Sequence, residues 1–262
     1  MSFGELLSSY IISEALISKK ADAELKNSQE LIVTNSNFTK AEVNYSATNK
    51  NIITYFKNAK EKITILPGFI SKSNLGEVTT LGRGGSDFTA AIVAAALKVK
   101  QLEIWTDVSG MYTANPKLVK QAFPIEKISY QEAMELSHFG AKVLYPPTVQ
   151  PVLDLNIPIH IKNTLKPEDE GTIISKTNAS ISGQSPIKGI SHIDSLALLT
   201  LEGSGMVGIP GFSKRLFETL AQEKINVILI TQASSEHSIC LGIEDKDAER
   251  AKEAIDSTFE YE

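Results

Sequence analysis

The run Leu81-Gly82-Arg83-Gly84-Gly85-Ser86-Asp87-Phe88-Thr89 limits what this chain can fold into more than any other stretch. It lies between β-prone residues 78–81 and the alanine-rich segment 88–98, so a strand must pass through a glycine turn directly into a helix. Glycines let backbone N–H groups approach an anion closely, and a helix start adds open donors and partial positive charge. A plain turn with Ser86 or Asp87 as helix cap would use the same residues. Arg83 tilts the reading toward a ligand site, because a guanidinium suits bidentate contact with a carboxylate and Asp87 beside it suits a cationic group.

Around this run, residues 31–34, 63–66 and 102–106 read as strands, and 88–98 and 130–139 as helices. The alternation predicts an α/β domain with a mostly parallel sheet covered on both faces, binding ligands beyond the carboxyl ends of its strands. Between residues 163 and 189 the pattern gives way to polar sequence punctuated by Gly and Pro, with 171–175 as one more strand. The expected division is therefore a first domain over 1–175, a linker over 176–189 and a second domain over 190–262. The second domain reads β-α-β-β-α, with strands at 196–201, 227–231 and 238–243 and helices at 212–222 and 245–257. Residues 258–261 remain for the last strand of a ferredoxin-like unit.

Composition narrows the class. A total of 262 residues suits two domains, each with its own core. With 26 basic and 31 acidic residues and a net charge of -5, there is no basic stripe for nucleic acid. The apolar stretch 90–97 is far too short to span a bilayer. The single cysteine, Cys240, sits in a strand-like run and suits a reducing cytoplasm. Residues 2–20 carry Leu6, Leu7, Tyr10, Ile11, Ala15 and Ile17 interrupted by Glu5 and Glu14, which predicts an amphipathic helix rather than a signal peptide.

Two further segments carry possible chemistry. In Trp105-Thr106-Asp107-Val108-Ser109-Gly110 the polar residues fall at a strand's carboxyl end, where nucleotide contacts are expected, with Tyr112 and Lys117 just beyond. An Asp turn and a packing tyrosine are the plain alternative. In Phe139-Gly140-Ala141-Lys142-Val143 a helix ends on glycine, and Lys142 serves either a ligand or the helix C-terminus.

Taken together, residues 81–89, 103–112 and 130–144, joined by Ile161-Lys162-Asn163-Thr164 and by 227–235, resemble the aspartate kinase family of the amino-acid-kinase superfamily. The likeness is greatest to the bifunctional form that continues into a homoserine dehydrogenase. It implies part of a three-layer αβα sandwich followed by an incomplete ferredoxin-like ACT module. The implied reaction moves the γ-phosphoryl group of ATP, with Mg2+, to the side-chain carboxylate of L-aspartate, giving 4-phospho-L-aspartate for lysine, threonine and methionine synthesis. By matched position, Glu5 would hold the aspartate ammonium and Arg83 its α-carboxylate. Ser86, Asp87 and Lys142 would be catalytic. Gly84, Gly85, Thr106, Asp107, Tyr112, Lys117 and Lys142 would contact ATP. Gln232, with Met206 and Val207 in the loop 203–208, would meet a threonine or lysine effector, and ACT modules would pair in a cytoplasmic homodimer.

The sequence departs from that family in places. Lys117 stands where arginine is usual and lacks its planar fork. Tyr145 stands where histidine is commoner. The family's Lys-Phe-Gly-Gly-Thr-Ser strand, whose lysine steadies the transferred phosphoryl group, is not found in these residues, so little or no turnover is expected of the chain alone. A non-catalytic amino-acid-binding regulatory protein is the alternative, and another acyl-phosphate kinase a third reading.

Overall fold

The structure is a computed structural model that describes residues 2–138, 143–176, 187–203, 206, 208–232 and 237–260. The chain forms two compact units, Met1–Ser191 and His192–Glu262. Most of the linker expected over 176–189, namely 177–186, lies outside the described residues.

In the first unit the elements run α1 (Ser2–Ser18), β1 (Ala23–Leu25), β2 (Val33–Thr34), α2 (Tyr45–Asn58), β3 (Ile63–Ile65), β4 (Ile70–Ser73) and β5 (Val78–Thr80). They continue with α3 (Gly85–Leu97), β6 (Leu102–Thr106), β7 (Lys127–Ser129), α4 (Tyr130–His138), α5 (Pro146–Leu153), β8 (Ile159–Asn163) and β9 (Thr172–Ser175). The strands pair mostly in parallel, as expected, in three hydrogen-bonded groups, β1-β3, β2-β4-β5 and β6-β8-β9-β7. Pairs β1/β3, β2/β4, β6/β8 and β7/β9 are parallel, whereas β4/β5 and β8/β9 are antiparallel. The antiparallel pairs are neighbours along the chain joined by short connections, which a parallel pairing does not permit.

Helix α3 explains its own alanines. Ala91 and Ala94 enter one core with Ile104 of β6, Ile159 and Ile161 of β8, Ile174 of β9 and Val149 and Val152 of α5. On another side Ile92 joins Ile32, Ile52 of α2 and Leu81. A helix covered on several sides must be apolar all round, with small side chains where neighbours come close. It also starts at Gly85, three residues before the start read from sequence, because the glycine loop contributes the first helical turn.

Helix α1 forms as expected but is not amphipathic. Its buried residues are Ser9 and Ser13, while Phe3, Leu7, Tyr10, Ile11, Ile12 and Ile17 are exposed. The apolar residues do not share one face at the 3.6-residue period, so counting them could not reveal which side packs.

The second unit runs β10 (Leu196–Glu202), α6 (Phe212–Gln222), β11 (Val227–Gln232), β12 (Ser238–Glu244) and α7 (Ala248–Thr258), preceded by a 3-10 turn, Asp245–Asp247. The sheet order is β10-β12-β11 with both pairings antiparallel. Leu216 and Leu220 of α6, Ile239, Leu241 and Ile243 of β12, and Ala251 and Ile255 of α7 form the core. Cys240 is half-buried in β12. The final strand does not form among the described residues, because α7 continues to Thr258 and the Phe259 ring then packs 4.7 Å from Phe212.

Candidate functional site

After β5 the chain turns through Gly82 and enters α3 at Gly84, whose φ of 68° is left-handed. Gly84, not Ser86 or Asp87, occupies the cap position, and no side chain caps the helix. A left-handed cap excludes the usual Ser or Asp solution, so the expected side-chain cap is replaced by backbone geometry. The Gly85 N–H donates to the Gly82 carbonyl (3.1 Å) and the Phe88 N–H to that of Gly84 (2.9 Å). Of the helix's first donors, the N–H groups of Ser86 and Asp87 therefore stay open among the described residues. Gly85 must lack a side chain, since a Cβ there would lie 2.6 Å from Cδ2 of Phe69.

Arg83 is exposed, and its guanidinium lies over the Tyr145 ring, 5.6 Å from the centroid. This contact ties the glycine loop to the start of α5. Ser86 is exposed and Asp87 half-buried. Burial pushes the Asp87 carboxyl above its usual range, with no cation beside it among the described residues to bring it back. The loop thus combines open N–H donors, an available guanidinium and a carboxylate whose charge is poorly compensated.

At the other candidate segment, Thr106 and Asn163 end the paired strands β6 and β8 in register. The Thr106 hydroxyl donates to Asp107 (3.2 Å), and the Thr106 carbonyl accepts from Thr164 N–H (2.8 Å). Beneath them is a polar network that the sequence reading did not assign. Asn163, 5% exposed, donates to the Ser109 hydroxyl (2.9 Å) and accepts from Leu165 N–H (2.9 Å). The Ser109 hydroxyl donates to Asp169, and Thr172 accepts from Met111 N–H (2.8 Å). These groups fix the loop from Thr106 to Tyr112 on the sheet edge. Spacing could not signal this network, because its members lie 54 to 61 residues apart.

The remaining expected residues spread more widely. Tyr112 is half-buried and bridges Pro124 through its backbone. Lys117 is exposed in an Asx turn, its N–H donating to Asn115 (3.0 Å). Glu5 is half-buried in the first turn of α1, and no hydrogen bond or ion pair joins it to Arg83 among the described residues. Lys142 and Val207 lie outside the described residues. A groove of about 580 Å³ in this unit is lined by Glu24, Lys26, Lys50, Asn51 and Tyr55 among others, and contains none of the expected site residues.

A short strap also reaches this region. Lys188 pairs with both oxygens of Glu132 on α4 (2.8 and 3.0 Å), and Ile190 N–H donates to the Thr113 carbonyl (2.8 Å), one residue past Tyr112. Glu132 also accepts from the Ser129 N–H (2.9 Å) and hydroxyl (2.6 Å) in a capping box. Burial raises the Glu132 carboxyl, but the hydrogen bonds from Lys188 and Ser129 outweigh it and hold the group at about 2.

In the second unit Gln232 is the exposed last residue of β11, whereas Met206 is buried. Met206 lines a cavity of about 370 Å³ with Leu201, Phe212, Phe259 and the acidic Glu202 and Asp256. Gln232 is not part of that lining, so the two residues do not share one cavity.

A strand, a glycine loop and an uncapped α3, set in an α/β unit, coincide with a family profile described as the amino acid kinase family, which matches residues 1–163. The chain belongs to the amino acid kinase family. Residues 199–259 match an ACT domain profile, so this amino acid kinase chain also carries an ACT fold in its second unit.

The chain is 38% identical over 260 residues to a protein of Arabidopsis thaliana named bifunctional aspartokinase/homoserine dehydrogenase 2, chloroplastic, covering 98% of this chain and 28% of that one. It is similar to E. coli aspartokinase III solved with lysine and aspartate in a T-state, at a TM-score of 0.73 and 33% identity, over 92% of this chain and 53% of that one. It is also similar to E. coli aspartokinase III solved with aspartate and ADP in an R-state, at a TM-score of 0.66 and 25% identity, over 98% and 74% respectively. The amino acid kinase chain therefore spans about a quarter of the length of the plant relative. No helix among the described residues is long and apolar enough to cross a membrane.

Proposed function

We propose that this chain is part of an aspartate kinase that binds ATP and L-aspartate in its first unit and an amino-acid effector in its second. The observation that carries the proposal is the glycine loop, where open N–H donors at the start of α3 stand beside the exposed Arg83. An α-carboxylate would pair with the Arg83 fork, and a phosphate would face the Ser86 and Asp87 N–H groups. Similarity to proteins named aspartokinase, one of them solved with aspartate and ADP, supports this choice within the family.

In the proposed reaction a side-chain carboxylate oxygen of aspartate attacks the γ-phosphorus. The bond from that phosphorus to the β,γ-bridging oxygen breaks, and ADP leaves with its electron pair. The protein's share is positioning and electrostatic stabilisation. Thr106, Asp107 and Tyr112 would face the nucleoside, with Lys117 and Lys142 toward the phosphates. Glu5 would hold the aspartate ammonium. Mg2+ would travel with the phosphates, and the undercompensated Asp87 suits a cation brought in this way. Gln232, Met206 and Val207 are proposed for threonine or lysine, and the ACT units for pairing of two copies. The plant relative is named chloroplastic, so a cytoplasmic location is kept as a proposal for this chain alone.

The test is calorimetric titration of the purified chain with MgATP, then with L-aspartate, threonine and lysine, alongside trapping of any acyl phosphate with hydroxylamine. Saturable binding of both MgATP and L-aspartate, with Arg83→Met losing the aspartate and keeping the MgATP, supports the assignment. Binding of threonine or lysine with no nucleotide binding would replace it with the regulatory reading.

A further inference from the structure

Phe69 has a φ of 70°, a left-handed backbone that a bulky aromatic residue rarely adopts. Such strain persists only where surroundings over-determine it, and it often marks a site that needs a fixed geometry. Here three contacts impose it, and all three lead to the glycine loop. The Phe69 N–H donates to the Thr89 hydroxyl in α3 (3.0 Å), while that hydroxyl donates to the Gly85 carbonyl (2.9 Å). The Phe69 carbonyl accepts from Leu81 N–H (3.0 Å), immediately before Gly82. Its ring occupies the space that a side chain on Gly85 would need, and the preceding Gly68 abuts Ser86, where an added Cβ would lie 2.8 Å from the Ser86 Cβ.

We infer that Phe69 is a positioning residue: its strained backbone and ring seat the first turn of α3 so that the N–H groups of Ser86 and Asp87 face the ligand. The inference rests on the nucleotide and aspartate reading given above. Glycine at position 69 would remove the strain and the ring together, so stability and affinity measured side by side tell a packing role from a positioning one. An ordinary packing residue loses stability when its side chain is deleted. A strained positioning residue gives up ligand binding while the chain keeps its stability, because relief of the left-handed backbone offsets the lost contacts.

The experiment compares the full chain with Phe69→Gly and Phe69→Leu by thermal unfolding, by MgATP titration, and by amide NMR signals of Gly84, Gly85 and Ser86 without ligand. The expected result for Phe69→Gly is a Tm within a few degrees of the parent, broadened or multiple loop signals, and about tenfold weaker MgATP binding. Phe69→Leu, which keeps bulk against Gly85, should recover most of the affinity. Unchanged affinity in Phe69→Gly, or a fall in Tm that accounts for the loss, overturns the inference. If the parent chain itself binds no MgATP, the nucleotide reading fails separately. In that case the ligand-free signals still decide the role of Phe69, since loop signals as sharp in Phe69→Gly as in the parent overturn it.

Discussion

The Arg83 guanidinium rests over the Tyr145 ring at 5.6 Å, which places an aromatic residue of the α5 entry beneath the one cation of the glycine loop. A planar guanidinium stacks on such a face and still presents its donors edgewise. Tyr145 therefore has a structural use. Exposed cation–π contacts contribute about 0.5–1 kcal/mol, so Tyr145→Leu should weaken aspartate binding by roughly two- to fivefold. Arg83→Lys, which loses the fork as well, should weaken it further. Calorimetry with L-aspartate in the presence of MgATP measures both.

Asp87 predicts an exchange of stability for binding. Its carboxyl is raised by burial, so the group favours the folded state below its unfolded value near 3.8 and that contribution is lost as pH rises through the higher folded value. At neutral pH the charged form is a liability that Asp87→Asn removes. The variant should unfold at a higher temperature than the parent at pH 7, with the difference vanishing at pH 3, and should bind MgATP less well. A lower Tm at pH 7 would show that Asp87 already has a compensating partner.

Glu132 behaves in the opposite sense. Held at about 2 against an ordinary 4.5, it contributes stability that is complete above about pH 4.5 and is lost as pH falls toward 2. Glu132→Gln should flatten this part of the acid-unfolding profile, and Lys188→Met should flatten part of it. Because the strap also bonds Thr113 through Ile190, amide exchange at Ile190 should quicken in both variants. Exchange at the parent rate would mean that the ion pair does not hold the strap.

The Asn163–Ser109–Asp169 network is buried at Asn163 and Ser109, where lost partners are costly. Asn163→Leu leaves the Leu165 N–H without its acceptor and takes from the Ser109 hydroxyl the bond it accepts, while that hydroxyl still donates to Asp169, and should cost about 1–3 kcal/mol. Denaturant unfolding gives that loss. The same variant should weaken MgATP binding through the Thr106–Tyr112 loop, whereas Glu103→Gln on the exposed face of β6 should leave it unchanged.

Local order was legible in the residues themselves. The β5-loop-α3 passage, strand β6 and the span of α6 follow from glycine placement and apolar period, which act within about ten residues. The resemblance carried in residues 81–89 and 103–112 pointed to Arg83, Asp87 and Thr106 through the same short segments. Tertiary structure alone decided that Phe69 braces Gly85, that Tyr145 meets Arg83, that Asp169 holds Ser109, and that α1 buries serines instead of its aromatic and aliphatic residues. Each of these depends on which distant surfaces meet once the chain closes, and packing of that kind leaves no periodic trace in sequence.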